Sequence, residues 1–159
     1  MGQQAHITVW LLLGLIVVVV GIPSVGQAQT TTQVSVGLGE AEPNSPSLNP
    51  ALSADGRFVA FESEASNLVA GVDGRRESDI FVYDRQTGIT TRVSVAPGGG
   101  EPSNDSINPA LSADGRVVAY QSAATNPTVG KGWTDDIFVY DRQTGTTNRV
   151  SVALGGGRP

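Results

Sequence analysis

Asp79-Ile80-Phe81-Val82-Tyr83-Asp84-Arg85-Gln86-Thr87-Gly88 returns unchanged at Asp136 to Gly145, and this decapeptide decides the fold. Its β-branched and aromatic residues, flanked by aspartates, make a short strand that is apolar on both faces, so the sheet holding it must be covered on both sides. The turn that follows places Asp84 to cap turn amides and Gly88 to enter the left-handed region, with Asp141 and Gly145 in the same roles. Upstream, NPALSADGRFVAF from Asn49 returns as NPALSADGRVVAY from Asn108, about 59 residues on, whereas the decapeptide recurs about 57 residues on. A period of this size marks stacked supersecondary units, none able to bury its apolar faces alone.

Each unit reads as four antiparallel strands. Val117 to Tyr120 and the matching stretch within Arg57 to Ser63 are apolar on both faces, like the decapeptide strand. Thr91 to Val95 and Asn148 to Val152 alternate instead, which predicts an outer strand with Val93 and Val95 inward and Arg92 and Ser94 on a wet face. A short fourth strand is expected at Pro50 to Leu52 and at Pro109 to Leu111. It belongs on an edge because proline donates no hydrogen bond, and the residue before it, Asn49 or Asn108, is expected to be extended. Asp55-Gly56 and Asp114-Gly115 supply the tight hairpins between the first two strands. The fold class is all-β: two four-stranded antiparallel sheets stacked face to face.

The apolar run Ile7 to Ile22, followed by the small residues Gly26 and Ala28, reads as a secretory signal peptide over 1–28. The alternative is an uncleaved anchor, since MGQQAH carries no Lys or Arg. Membrane contact would come only through this segment. The remainder divides into a lead-in at 29–48 with one outer strand at Gln33 to Gly37, a first repeat at 49–96, a Gly/Pro linker at 97–107, a second repeat at 108–153 and a second linker beginning at 154–159. The chain has no cysteine, so no disulfide or thiol chemistry is available. A net charge of −5, with arginines set beside acids instead of in a basic run, argues against a nucleic-acid partner.

Ser-Ala-Asp-Gly-Arg, an apolar strand, Asp-Ile-Phe-Val-Tyr-Asp and Thr-Gly, twice in order, resemble the TolB-type WD-like β-propeller repeat. Ala54 and Ala113 stand where that family has a turn proline. The resemblance implies two propeller blades in an exported bacterial protein, secreted or periplasmic, that binds other molecules without catalysis. Closed propellers use roughly four to eight blades. Two blades therefore imply either a piece of a longer propeller or copies assembling into a homo-oligomeric ring.

The only histidine, His6, lies in the signal segment, which removes histidine-based triads and zinc sites from the rest. Glu62 and Glu64, at i and i+2 near a strand end, read as a solvated rim, and the second repeat has Gln121 and Ala123 there. The chain is therefore expected to be no enzyme and to need no cofactor. One cation candidate is calcium at Asp73, Glu77 and Asp79, oxygen ligands around a Gly-containing loop whose second copy, Lys131 to Asp136, loses the first acid and adds a lysine, so that no periodic site is expected. Trp133 beside Asp135 and Asp136 is the candidate ligand contact, an indole to stack on a sugar with carboxylates to accept its hydroxyls. The recurring Asp55, Gly56, Asp84, Gly88, Asp114, Gly115, Asp141 and Gly145 read as structural turns. The partner expected is a protein or a carbohydrate. A self-assembling lectin and an accessory propeller of a larger envelope enzyme remain as alternatives.

Overall fold

The computed structural model describes residues 11–12, 15–16, 30–71, 77–95, 103–123 and 135–154. It separates into two units, Met1–Thr32 and Gln33–Pro159. In the first, β1 (Leu11–Leu12) pairs antiparallel with β2 (Leu15–Ile16). The expected signal peptide falls otherwise outside the described residues. No described helix is long and apolar enough to cross a membrane.

The second unit holds two four-stranded meanders. The first blade runs β3 (Ser47–Leu52), β4 (Phe58–Ser63), β5 (Asp79–Asp84) and β6 (Ile89–Arg92), hydrogen-bonded in that order. The second repeats it with β7 (Ser106–Leu111), β8 (Val117–Ser122), β9 (Asp136–Asp141) and β10 (Thr146–Arg149). Every pairing within a blade is antiparallel. This is the edge, core, core, outer-edge order expected of consecutive propeller blades.

Period-2 alternation gives each blade two faces. The forward face of the first carries Phe58, Ala60, Glu62, Ile80 and Val82, in register across β4 and β5. Against it lies the rear face of the second blade, bearing Leu111, Val118, Tyr120, Phe138 and Tyr140. Ala60, Ile80, Val82, Val93, Val118, Tyr120 and Phe138 form one buried cluster, with Ala51, Phe58, Leu111 and Tyr140 packed on it. Burial pushes the Tyr120 phenol up to about 12. Tyr120 and Phe138 stack at 5.9 Å, as do Phe61 and Phe81 at 5.8 Å in the first blade. That second pair is closed off by Ala65 and Leu68 of its own blade.

Five expectations are corrected. The inner strand starts earlier, at Ser47 and Ser106, because a bulge between Leu48 and Ala51, and between Ile107 and Ala110, absorbs the proline. At this bulge Asn49 and Asn108 take φ of 50° and 54°, the left-handed region that asparagine tolerates, and are not extended. The outer strand is displaced toward its turn. Pairing begins at Ile89 and Thr146 and stops at Arg92 and Arg149, where the Ser94 and Ser151 hydroxyls replace a backbone acceptor for the Ile80 and Ile137 N–H groups, at 2.9 and 3.0 Å. Nor is the Arg92 side of this strand wet: Arg92 folds onto Asp79 at 3.4 Å and Arg149 onto Asp136 at 3.3 Å, with all four side chains largely buried. Finally, residues 33–37 lie in no strand.

The two blades stack face to face as expected, through the forward face of the first and the rear face of the second. Ile80 is 0% exposed and its counterpart Ile137 is 42% exposed; Val93 is 0% and Val150 51%. The residues are the same, so the difference lies in the seam, which covers the first pair and not the second.

The seam closes tightly at the second hairpin. A methyl group on Gly115 would overlap the Phe58 ring, and φ is +70°. At Gly56, with φ of +71°, the nearest atom is Arg85 Nη1 at 3.6 Å, an ordinary van der Waals distance. Phe58 is also held between two guanidinium groups, Arg57 at 4.6 Å and Arg142 at 4.0 Å from its centroid. Gly56→Ala should therefore cost about 1 kcal/mol of left-handed strain, and Gly115→Ala on the order of 3 kcal/mol once overpacking is added. Paired urea titrations read the difference; equal losses would show that the two hairpins are not distinguished by the seam.

Candidate functional site

Among the described residues, side chains from both repeats meet at the junction between the blades. Its apolar centre is rimmed by polar ties. The Asn108 N–H donates to Glu62 Oε2 at 2.7 Å, and Asn49 Nδ2 donates to Glu62 Oε1 at 2.9 Å. Asp105 Oδ1 accepts the Ser78 N–H at 2.7 Å, and the Ser106 N–H reaches Ser78 O at 2.6 Å. At the hairpin end, the Ala54 N–H donates to Ala113 O at 2.8 Å. These bonds satisfy backbone groups that the bulges and strand starts would otherwise leave bare.

Glu62 is thus no solvated rim; it is 8% exposed and bridges the repeats. Glu64, two residues on, is exposed. The i, i+2 pattern concealed this because Glu62's partners lie 13 and 46 residues away. The left-handed Asn49 and Asn108 aim these groups. A cleft of about 270 Å³ opens beside them, lined by Leu48, Glu62, Glu64, Ser78, Asp105 and Ile107 among others. A second, of about 310 Å³, lies at the hairpin end between Phe58, Asp114, Arg116, Arg142 and Gln143. Burial there lowers the pKa of Arg142, whose Nη1 donates to Gly115 O at 2.7 Å.

The expected turn residues all carry hydrogen bonds of the scaffold. Asp55 accepts the Ser53 hydroxyl at 2.6 Å and the Arg57 N–H at 3.0 Å, and Asp114 accepts Ser112 at 2.5 Å and the Arg116 N–H at 3.0 Å. These bonds, the hydroxyl's first, hold both carboxyls below the usual range. Asp84 receives Arg57 through two nitrogens, at 3.0 and 2.7 Å, and Asp141 receives Arg116 at 3.0 and 2.6 Å. The guanidinium bonds hold Asp84 well below the carboxylate range and bring Asp141 down to about 2. The turns close with the Gly88 N–H on Asp84 O and the Gly145 N–H on Asp141 O, both at 2.8 Å.

Of the calcium candidates, Asp73 lies outside the described residues. Glu77 is half-buried, and Asp79 is buried with its carboxylate on the Ser94 hydroxyl at 2.6 Å and on Arg92. Asp136 repeats this with Ser151, at 2.6 Å, and Arg149. Among the described residues no group of three or more acidic side chains is placed to hold a cation. Of the ligand candidates, Trp133 lies outside the described residues, and Asp135 is exposed and accepts Gln121 Nε2 at 2.6 Å. Asp135 and Asp136 therefore have different environments, one at the surface and one inside the sheet.

No family model matches the chain, and no curated protein does. Among solved structures, it is similar to TolB from Acinetobacter baumannii at 20% identity over 66% of this chain and 21% of that one, with a TM-score of 0.43. A putative TolB from Agrobacterium tumefaciens matches at 19% identity over 68% and 31%, TM-score 0.47. An oligogalacturonate lyase in complex with manganese matches at 14% identity over 74% and 27%, TM-score 0.38. The chain spans between about a fifth and a third of the length of these proteins.

Removing the Glu62 carboxylate separates a seam tie from a rim charge. Glu62→Ala leaves the Asn108 N–H without its acceptor and should cost about 1–3 kcal/mol. Glu62→Gln keeps an acceptor oxygen, as Gln121 does in the second repeat, and should cost less than half as much. Urea denaturation of both variants measures this, and an Ala variant as stable as the parent would return Glu62 to the rim.

Proposed function

We propose that this chain is an exported, noncatalytic binding module that uses a β-propeller scaffold to present loops to a protein or carbohydrate partner. One observation carries the reading: the carboxylates recurring in both repeats, Asp55 with Asp114, Asp79 with Asp136 and Asp84 with Asp141, are bound to the same scaffold partners in each. Recurring residues maintain the blade. Ligand recognition then falls to the segments that differ, residues 67–78 against 126–135, in keeping with the general placement of binding residues on loops held by a rigid frame. The apolar run Ile7 to Ile22 supports export. Secretion or the periplasm is the location that follows.

The noncatalytic part rests on chemistry. Beyond His6 the sequence has neither histidine nor cysteine, and the Glu62 carboxylate is engaged by two donors. The carbohydrate part rests on Trp133 lying two residues from the exposed Asp135, an indole and a carboxylate close enough in sequence to serve one sugar.

A glycan array probed with the full chain should show binding with no shortening of the bound glycans; cleavage products in a mass spectrum would overturn the noncatalytic reading. Trp133→Ala should abolish the signal at an unchanged melting temperature. A blank array would remove carbohydrate as the ligand and leave a protein partner.

A further inference from the structure

Four arginines of the blades are each paired with an aspartate: Arg57 with Asp84, Arg92 with Asp79, Arg116 with Asp141 and Arg149 with Asp136. Arg85 and Arg142, at matching places in the two repeats, have no carboxylate within ion-pair distance among the described residues. Each donates Nη1 to a hairpin glycine carbonyl, Arg85 to Gly56 O at 2.8 Å and Arg142 to Gly115 O at 2.7 Å. Their surroundings differ. Arg85 is exposed, whereas Arg142 is half-buried in the seam, its guanidinium 4.0 Å from the centroid of Phe58 in the other blade. Burial lowers the Arg142 pKa. Asp84 opposes that from a distance, but its carboxylate is held by two Arg57 nitrogens at 3.0 and 2.7 Å. A cation drawn partly out of water without an anion of its own favours any ligand that supplies one.

We infer that the cleft of about 310 Å³ at the hairpin end of the seam is a second ligand site, which takes a uronate sugar with its carboxylate on Arg142. This goes beyond the loop site proposed above and uses none of its residues. A guanidinium carries five N–H donors in one plane, and Arg142 spends one on Gly115 O, so two parallel bonds to a carboxylate remain open to it. The Phe58 ring and the Gly115 carbonyl fix that plane in advance, which lowers the ordering cost of binding. The rest of the lining selects among anions. Asp114 borders the same cleft, and both of its hydrogen bonds, from the Ser112 hydroxyl and the Arg116 N–H, fall on Oδ1. Its Oδ2 is left to accept from a hydroxyl, while the carboxylate repels a sulfate or phosphate, whose charge is spread over every outward oxygen. Arg116 is committed to Asp141 at 2.6 Å. Gln143, exposed beside it, adds an amide that both donates and accepts. One carboxylate with several hydroxyls close by is the chemistry of a sugar acid. The volume is at the lower end of small-molecule pockets, roughly 300–1,000 Å³, which suits a short stretch of a sugar chain.

Calorimetric titration of the full chain with a β-1,4-linked glucuronate trimer, and with cellotriose, which has the same rings without the carboxylates, tests this. The expected result is binding of the glucuronate trimer that weakens as salt is raised, with cellotriose bound about tenfold less tightly or worse. Arg142→Gln should lower glucuronate affinity about tenfold or more, whereas Arg85→Gln, which loses the same kind of carbonyl bond outside the cleft, should leave it unchanged. If Arg142→Gln unfolds, Gln143→Ala at the exposed side of the cleft takes its place, with a weaker loss of affinity at an unchanged melting temperature. Trp133→Ala should leave glucuronate binding intact. No binding of the trimer, equal affinity for cellotriose, or equal effects of the two arginine variants would overturn the site. Inorganic sulfate displacing the trimer as readily as free glucuronate does would reduce it to a bare anion site and overturn the sugar assignment. Loss of binding in Trp133→Ala would move the sugar to the loop site and leave the proposed binding role standing.

Discussion

A four-stranded sheet whose central strands are apolar on both faces cannot be satisfied by one neighbour. That constraint organises the molecule. The first blade lays its forward face on the rear face of the second, and Ala60, Ile80, Val82 and Val93 disappear from solvent into a cluster with Val118, Tyr120 and Phe138. In the second blade the same strand sequence leaves Ile137 42% exposed. Burying an aliphatic side chain of this size is worth about 1.5–3 kcal/mol. The seam therefore supplies a substantial part of the driving force that holds the two blades together.

Around that apolar contact the polar groups divide by duty. Ion pairs between neighbouring strands, Arg57 with Asp84 and Arg92 with Asp79, stay within a blade and fix its own geometry. Ties between blades run instead through backbone groups freed by the bulged inner strands and the hairpins, with Glu62 and Asp105 as acceptors. A bulge is an irregularity that frees donors, and here the freed Asn108 N–H is what the neighbouring blade holds. Where the second repeat has Gln121 in place of Glu62, the Asn108 side-chain amide meets a neutral oxygen, at 3.4 Å.

Much of this was legible in the sequence, for definite reasons. The unchanged decapeptide forced two-faced strands, and Asp-Gly and Thr-Gly placed the turns, because these signals act within a few residues of one another. What escaped notice depended on distance. Arg92 looked solvated because alternation alone cannot see Asp79 across the sheet, and Glu62 looked like a rim because its partners come from two inner strands. Asn49 broke the rule for residues before proline because the bulge needed a left-handed residue there. The exposure of Ile137 could not be read locally at all, since its sequence context is that of the buried Ile80. Trp133 and Asp73 lie outside the described residues, so the structure bears on the ligand and cation candidates only through Asp135, Asp136, Glu77 and Asp79.

The identical strands offer an internal control, because Asp79 to Asp84 and Asp136 to Asp141 share their sequence and hence their intrinsic amide exchange chemistry. Hydrogen exchange of these two segments, followed by mass spectrometry of the full chain, tests most directly whether the seam, and not the strand sequence, sets protection. The account predicts slower exchange in the first segment, whose Ile80 and Val82 are buried in the seam, than in the second, whose Ile137 is 42% exposed. Equal protection of the two segments would contradict it.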